Sequence, residues 1–290
     1  MSKSEHTDWR QLSQSALDAA YDQAVYAANV QQVIARYFSE SKRTIERIGP
    51  PARYQYGEGQ NEALDWFAPS GSKGSAPVVI MVHGGAWQAG NAAMVAFAAE
   101  TVTNAGACYA ALDFDPIGDH DGDLQPMADQ VATAITWIEA NAVRLGGDPA
   151  RLFICAHSSG AHLAGCAIAT MLPPGTIKGA LLCGGIYDLA PVRASSRSSY
   201  VKLTGASEAR LSPIRHLDNW QTPTIIAWGD LETPEFQRQS SEFASALAAR
   251  DMLAGQIIGE HYNHFEVLET LGNPIGLLGS ALVDLLKRGH

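Results

Sequence analysis

The stretch from Arg151 to Ala169 constrains this chain more than any other. An apolar, β-type run, Arg151-Leu152-Phe153-Ile154-Cys155, leads into Ala156-His157-Ser158-Ser159-Gly160, and a run that reads as helix, Ala161 to Ala169, follows at once. A strand, a serine flanked by small residues and a helix in this order form a nucleophile elbow. The turn is too tight for bulky neighbours, so the serine hydroxyl stands clear above the sheet. Ser158 is therefore the expected nucleophile, and the backbone N–H of Ser159 is expected to face a developing oxyanion. Ala156 stands where the full pattern has Gly, a change of one methyl group. An ordinary Ser-Ser turn would look the same locally, so the partners elsewhere in the chain decide.

A serine hydroxyl needs a base within hydrogen-bond reach, and the base needs an orienting carboxylate. On an α/β-hydrolase sheet these follow in the order Ser, Asp or Glu, His. Gly229-Asp230-Leu231-Glu232-Thr233-Pro234 follows the apolar run Thr224 to Trp228, and Glu260-His261-Tyr262-Asn263-His264-Phe265 follows the run Gln256 to Ile258. Spacing leaves Asp230 or Glu232 as the acid and His261 or His264 as the base. His83-Gly84-Gly85-Ala86-Trp87 comes directly after the apolar run Val78 to Val82. Its glycines let the backbone approach a ligand, so N–H groups of Gly85 or Ala86 can complement that of Ser159. Gly84 and Trp87 are candidate substrate contacts. His157, His162 and His216 read as locally packed or hydrogen-bonded side chains.

The rest of the chain fits an α/β-hydrolase fold. From Pro77 onward strand and helix signals alternate, which indicates a mostly parallel sheet covered on both faces by helices. The 290 residues are read as one domain over 1–290, with a helical N-terminal extension over 1–50 and a small cap insert over 188–220. Residues 8–46 read as helical, with Leu12, Leu17, Tyr21, Val25, Val33, Ile34, Tyr37 and Phe38 as apolar points. Pro69 to Ser75 reads as a surface loop. The acidic stretch Asp115 to Asp123 lacks EF-hand spacing and reads as a solvated loop.

Composition narrows the function classes. A net charge of -10 with no basic cluster argues against nucleic acid as a partner. No apolar export core and no long apolar span occurs, so no membrane association and a cytoplasmic location are expected. Cys108, Cys155, Cys166 and Cys183 each lie inside an apolar run without CxxC spacing, and read as buried thiols rather than disulfides or zinc ligands. The expected chemistry uses a small-molecule substrate, no metal and no cofactor. A homodimer is compatible with it.

Taken together, these residues resemble the kynurenine formamidases, or arylformamidases, of the α/β-hydrolase fold. His83-Gly84-Gly85-Ala86-Trp87-Gln88 is similar to their HGGxW signature, and Leu124 to Val131 to the helix start after their next strand. His157-Ser158-Ser159-Gly160-Ala161-His162-Leu163 is similar to their elbow. Gly184-Gly185-Ile186-Tyr187-Asp188-Leu189, Ser212-Pro213, Arg215-His216-Leu217, Thr233 to Ser240 and His264-Phe265-Glu266 follow in family order. The resemblance covers roughly residues 60–272. It implies Glu232 as the acid, where many members carry Asp, and His264 as the base. It further implies deformylation of N-formylkynurenine to kynurenine and formate. Ala86 stands where animal members usually carry a bulky aromatic, which implies a reshaped pocket. An esterase, a carbamate hydrolase or another amidase on the same scaffold is the alternative, and a catalytically inactive binding protein is the third reading.

Overall fold

The computed structural model describes residues 8–71 and 75–288. The loop expected over 69–75 thus falls partly outside the described residues, as does the start of the N-terminal extension. Eight strands form one sheet: β1 (Ala52–Gln55), β2 (Ala63–Phe67), β3 (Ala76–Val82), β4 (Cys108–Leu112), β5 (Gly147–His157), β6 (Ile177–Cys183), β7 (Thr224–Gly229) and β8 (Leu253–Gly259). Their spatial order is β1-β2-β4-β3-β5-β6-β7-β8. The β1–β2 and β2–β4 pairs are antiparallel and every other pair is parallel. This is the α/β-hydrolase arrangement expected from the alternation of elements. After β3 the chain moves to one side, to β4, then crosses back to place β5 on the other side. Such a reversal opens a crevice at the carboxyl ends of the strands, where ligands bind in open α/β sheets.

The strands are nearly continuous apolar runs because both faces are covered. Val78, Ile80 and Val82 of β3 belong to one apolar cluster with residues of α4 (Gln125–Asn141), α5 (Ser159–Cys166) and α8 (Pro234–Ala248). Val79 and Met81 pack on the other face with α2 (Val30–Ile48), α3 (Ala99–Asn104) and α10 (Leu277–Arg288). The helix starts follow local chemistry. Pro234 occupies the first turn of α8, and the Thr233 hydroxyl accepts from the Phe236 N–H at 3.4 Å, closing the cap.

The single long helix expected over 8–46 is broken in the structure. It comprises a 3₁₀ turn at Trp9–Gln11, α1 (Gln14–Ala20), a second 3₁₀ turn at Gln23–Tyr26, and α2. Asp22 caps the second turn by accepting from the Ala24 N–H. Leu17, Tyr21, Val33 and Tyr37 are buried as expected, but Val25 is 68% and Phe38 48% exposed. The imperfect apolar period was the trace of these breaks: a straight helix could not lay Tyr21 and Gln23 against one loop and Tyr37 against another. Residues 190–219 carry α6 (Ala190–Ala194), α7 (Gly205–Arg210) and three 3₁₀ turns, and Ser196, Arg197 and Tyr200 line the cavity that contains Ser158. The short α9 (Glu266–Glu269) follows the β8 loop.

Candidate active site

The elbow is built as its residue types require. β5 ends at His157, and Ser158 takes φ 55° and ψ -125°, a conformation that costs a non-glycine residue about 1–3 kcal/mol. The Ser158 N–H donates to the Cys183 carbonyl at 2.8 Å, which ties the strained turn to β6. Two positions on, a Cβ on Gly160 would lie 2.3 Å from the carbonyl oxygens of both Val82 and His83. Only glycine lets α5 start this close to the end of β3.

The loop after β3 is equally constrained. Gly85, Ala86 and Trp87 have φ of 131°, 54° and 63°, three consecutive residues on the positive side. A Cβ on Gly85 would sit 1.9 Å from the Ala89 carbonyl oxygen. The Gly85 carbonyl accepts from the N–H groups of both Gln88 and Ala89, which folds the loop back on itself. The N–H groups of Gly85, Ala86 and Ser159 make no hydrogen bond to an acceptor among the described residues. Gly84, Gly85 and Ala86 line the same cavity as Ser158.

The structure brings Ser158, His264 and Glu232 into one hydrogen-bonded line. The Ser158 hydroxyl lies 2.9 Å from His264 Nε2, and His264 Nδ1 lies 2.8 Å from Glu232 Oε2. With Nδ1–H donating to the carboxylate, Nε2 is the acceptor for the serine proton. The Gly229 N–H donates to Glu232 Oε1 at 2.9 Å, so the second oxygen of the carboxylate is also held. Asp230 and His261 are used differently. Asp230 Oδ1 accepts from the His261 N–H at 2.7 Å and closes the two loops together, while the His261 side chain is exposed. The His264 ring is walled by Phe236 and Phe265, both edge-on at 5.1 and 5.2 Å between centroids. A protonatable serine–histidine–carboxylate chain beside free N–H donors is equipped for acyl transfer.

Trp87 is a correction. It is fully buried, its Nε1–H donates to His162 Nδ1 at 3.2 Å, and it does not line the cavity. The backbone turn at Ala86 and Trp87 sends the indole into the core instead of over Ser158.

Three buried histidines near the elbow stay neutral. His157 Nε2–H donates to the His264 carbonyl at 2.8 Å, and burial with the neighbouring His264 ring pushes its pKa well below the usual value. His162 bonds the Leu211 carbonyl, and burial lowers its pKa to about 4; burial also lowers that of His83. These groups are lowered relative to the unfolded chain, so they remain neutral in the fold while unfolded imidazoles charge below about pH 6.5. Stability is therefore level with respect to them above that pH and falls from about 6.5 toward 4. His162 alone corresponds to a loss of about 3 kcal/mol across that window. A melting temperature followed from pH 8 to 4 should be flat at first and then drop; no drop down to pH 5 would contradict the neutral assignment.

The sequence favoured an N-terminal segment packed on the domain and left a position across the pocket as the alternative; its contacts at this site were not foreseen. Gln23 is buried; its Oε1 accepts from the Thr233 N–H at 3.1 Å, and its Nε2 lies 3.4 Å from Glu232 Oε2. The Thr233 hydroxyl donates to the Ala20 carbonyl at 2.7 Å. On the other loop, the Tyr37 hydroxyl donates to the Phe265 carbonyl at 2.6 Å, and Asn29 bonds both Asn263 and Glu266. No local pattern announces contacts this far apart; a glutamine among weakly periodic apolar residues was the one available signal. Gln23 is a positioning residue for the acid. Gln23→Ala should lower kcat about tenfold, through a displaced carboxylate, with KM changed less than twofold. An unchanged kcat, or a loss confined to KM, would show that the contact only packs.

The cavity above Ser158 has a volume of about 430 Å³, the size of a small-molecule pocket. Tyr21, Gln23, Ile34 and Tyr37 from the N-terminal segment line one wall, and Ser196, Arg197 and Tyr200 from the insert line another. Among the described residues no cluster of His, Cys, Asp or Glu could hold a metal ion, and no helix is long and apolar enough to cross a membrane. All four cysteines are buried and unpaired, and burial raises the Cys108 and Cys155 thiols to about 12.

Known proteins resemble the chain at three levels. The family model described as BD-FAE matches residues 64–172, which span β2 to the start of the connection after α5. The chain is 29% identical to kynurenine formamidase of Danio rerio, over 97% of this chain and 99% of that protein. It is 27% identical to kynurenine formamidase of Salmo salar, over 91% and 93%. Among solved structures, esterase 2 of Thermogutta terrifontis superposes with a TM-score of 0.66 at 20% identity, covering 83% of this chain and 93% of that one.

Proposed function

We propose that the chain is an arylformamidase of the kynurenine formamidase kind, an α/β-hydrolase-fold serine hydrolase converting N-formylkynurenine to kynurenine and formate. The full-length similarity to two proteins named kynurenine formamidase carries this reading. The 2.9 Å and 2.8 Å contacts along Ser158, His264 and Glu232 supply its chemistry.

In the proposed reaction Ser158 Oγ attacks the formyl carbon as His264 Nε2 takes its proton. The N–H groups of Gly85, Ala86 and Ser159 hold the oxyanion, each such donor contributing about 3–4 kcal/mol in the transition state. Glu232 keeps His264 in the Nδ1–H tautomer and stabilises the imidazolium. His264 then protonates the departing aryl amine, leaving a formyl ester on Ser158. Water attacks that ester by the reverse proton route and formate leaves. A formyl group has no side chain, so nearly all of the cavity is available to the leaving amine.

Steady-state hydrolysis of N-formyl-L-kynurenine, read as kynurenine absorbance beside 4-nitrophenyl acetate, tests this. A clear preference for the formamide in kcat/KM supports the arylformamidase reading. Fast ester turnover with negligible formamide turnover favours the second reading, a carboxylesterase. Ala86 is the observation that keeps that alternative, because its methyl group lines the cavity beside Ser158 where a bulkier side chain would narrow it.

A further inference from the structure

The wall that the insert forms beside the N-terminal segment holds a charge that the reaction above does not use. Arg197 is 9% exposed and lines the cavity that contains Ser158 and His264. Its guanidinium carbon lies 5.4, 5.5 and 5.8 Å from the ring centroids of Tyr21, Trp87 and Phe236. Phe236 is the ring that packs edge-on against His264. Nη2 donates to the Tyr21 carbonyl at 2.9 Å, while Nη1 is buried without a hydrogen-bond partner. Among the described residues no carboxylate lies within 4.0 Å of this guanidinium; Arg193 is paired with Glu208 and Arg215 with Glu208 and Asp188, while the exposed Arg210 bonds the Gln125 side-chain oxygen.

A guanidinium removed from water is costly unless a counter-ion and hydrogen bonds compensate it. Three aromatic faces offset part of that cost and fix its position. They leave the buried Nη1 edge of the fork without a partner, on a side chain that lines the reaction chamber. That edge suits a carboxylate, which accepts two parallel N–H bonds from a planar fork. The same cavity is lined by Asp18 and Asp22, and neither has a cation within 4.0 Å among the described residues. Asp18 Oδ1 accepts from the Ser196 N–H and from Gln14, and Asp22 Oδ1 from the Ala24 N–H. A simple anion would meet these two carboxylates as well as Arg197. A substrate carrying both an ammonium and a carboxylate would match both signs.

We propose that Arg197 is the subsite for a carboxylate on the leaving group of the substrate, with Asp18 and Asp22 facing an ammonium on the same group. This rests on the formamidase reading for the identity of that group, an amino-acid zwitterion, but not for the unpaired guanidinium. Arg197 then acts on specificity, through substrate binding, and takes no part in proton transfer.

Two substrate pairs separate the inference from the reading it rests on. The first is N-formyl-L-kynurenine against N-formylkynuramine, which lacks the carboxylate. The second is 4-acetoxyphenylacetate against its carboxamide, esters whose leaving phenol is charged in one and neutral in the other. In wild type the charged member of at least one pair should have a kcat/KM about tenfold higher, the effect of one charge-assisted hydrogen bond. The preference should reside in KM, vanish in Arg197→Met and return in part in Arg197→Lys. Ratios within each variant cancel any general loss from altered packing. A preference in the ester pair without formamide turnover would retain the subsite and discard N-formylkynurenine. Equal kcat/KM in both pairs for wild type, which needs no variant to fold, overturns the inference. So does a preference that survives Arg197→Met.

Discussion

Ser158→Ala should lower kcat by about 10⁴- to 10⁶-fold on any substrate the enzyme turns over, with the melting temperature within a few degrees of wild type. The size follows from the arrangement. Among the described residues Ser158 is the one hydroxyl within hydrogen-bond reach of His264 Nε2, at 2.9 Å, so none of them inherits its role. The residual rate would come from the N–H groups at Gly85, Ala86 and Ser159 acting on bound substrate. The fold should tolerate the change because alanine occupies φ 55° no worse than serine, and the backbone bond to Cys183 is kept. An organophosphonate probe should label wild type at Ser158 and leave the variant unlabelled. Turnover within tenfold of wild type, or label appearing on another serine, would place the nucleophile elsewhere.

Gly160→Ala should be the most damaging single-methyl change near the site. The added carbon would lie 2.3 Å from two carbonyl oxygens of β3 and its loop, and neither is the end of a flexible side chain. Either α5 moves away from β3 or the chain after β3 gives way. Overpacking of this kind costs about 3 kcal/mol or more, which at this chain length lowers the melting temperature by about 5–10 °C. Activity should suffer beyond stability. Ser159 N–H rides on α5, and the Gly85 and Ala86 N–H groups ride on the loop that is pushed. A misplacement of about 1 Å between them is worth about 10²-fold in rate. Calorimetry and kcat/KM on the purified variant measure the two effects. A variant matching wild type in both would mean the elbow and the β3 loop are not packed as described.

The elbow was legible because it is local: strand, small-Ser-small and helix lie within nineteen consecutive positions. The β3 loop was legible for the same reason. Choosing within the Asp230/Glu232 and His261/His264 pairs was beyond spacing. Both members of each pair sit in the right loop, and only the folded chain shows Asp230 spent on the His261 backbone while Glu232 faces His264. Trp87 was misjudged because adjacency to an oxyanion loop says nothing of which way a side chain turns at φ 63°. The N-terminal helix was overextended because its apolar residues serve three different surfaces. Arg197 left no mark at all: its neighbours Tyr21, Trp87 and Phe236 come from three remote parts of the chain.

The tie between the N-terminal segment and the catalytic loops also orders events in time. Gln23 and Thr233 are 210 positions apart, and Tyr37 and Phe265 are 228 apart. During synthesis the strap leaves the ribosome first and waits, without its partners, until nearly the whole sheet has been made. Contacts of such long separation form late, because the loops they close carry the largest entropic cost. Tyr21, Val33 and Tyr37 are exposed apolar surface throughout that interval, the kind of surface that holdase chaperones bind. Assembly of the reaction chamber thus waits for the loops after β7 and β8, and a nascent chain halted before β8 carries the nucleophile but not the base that activates it.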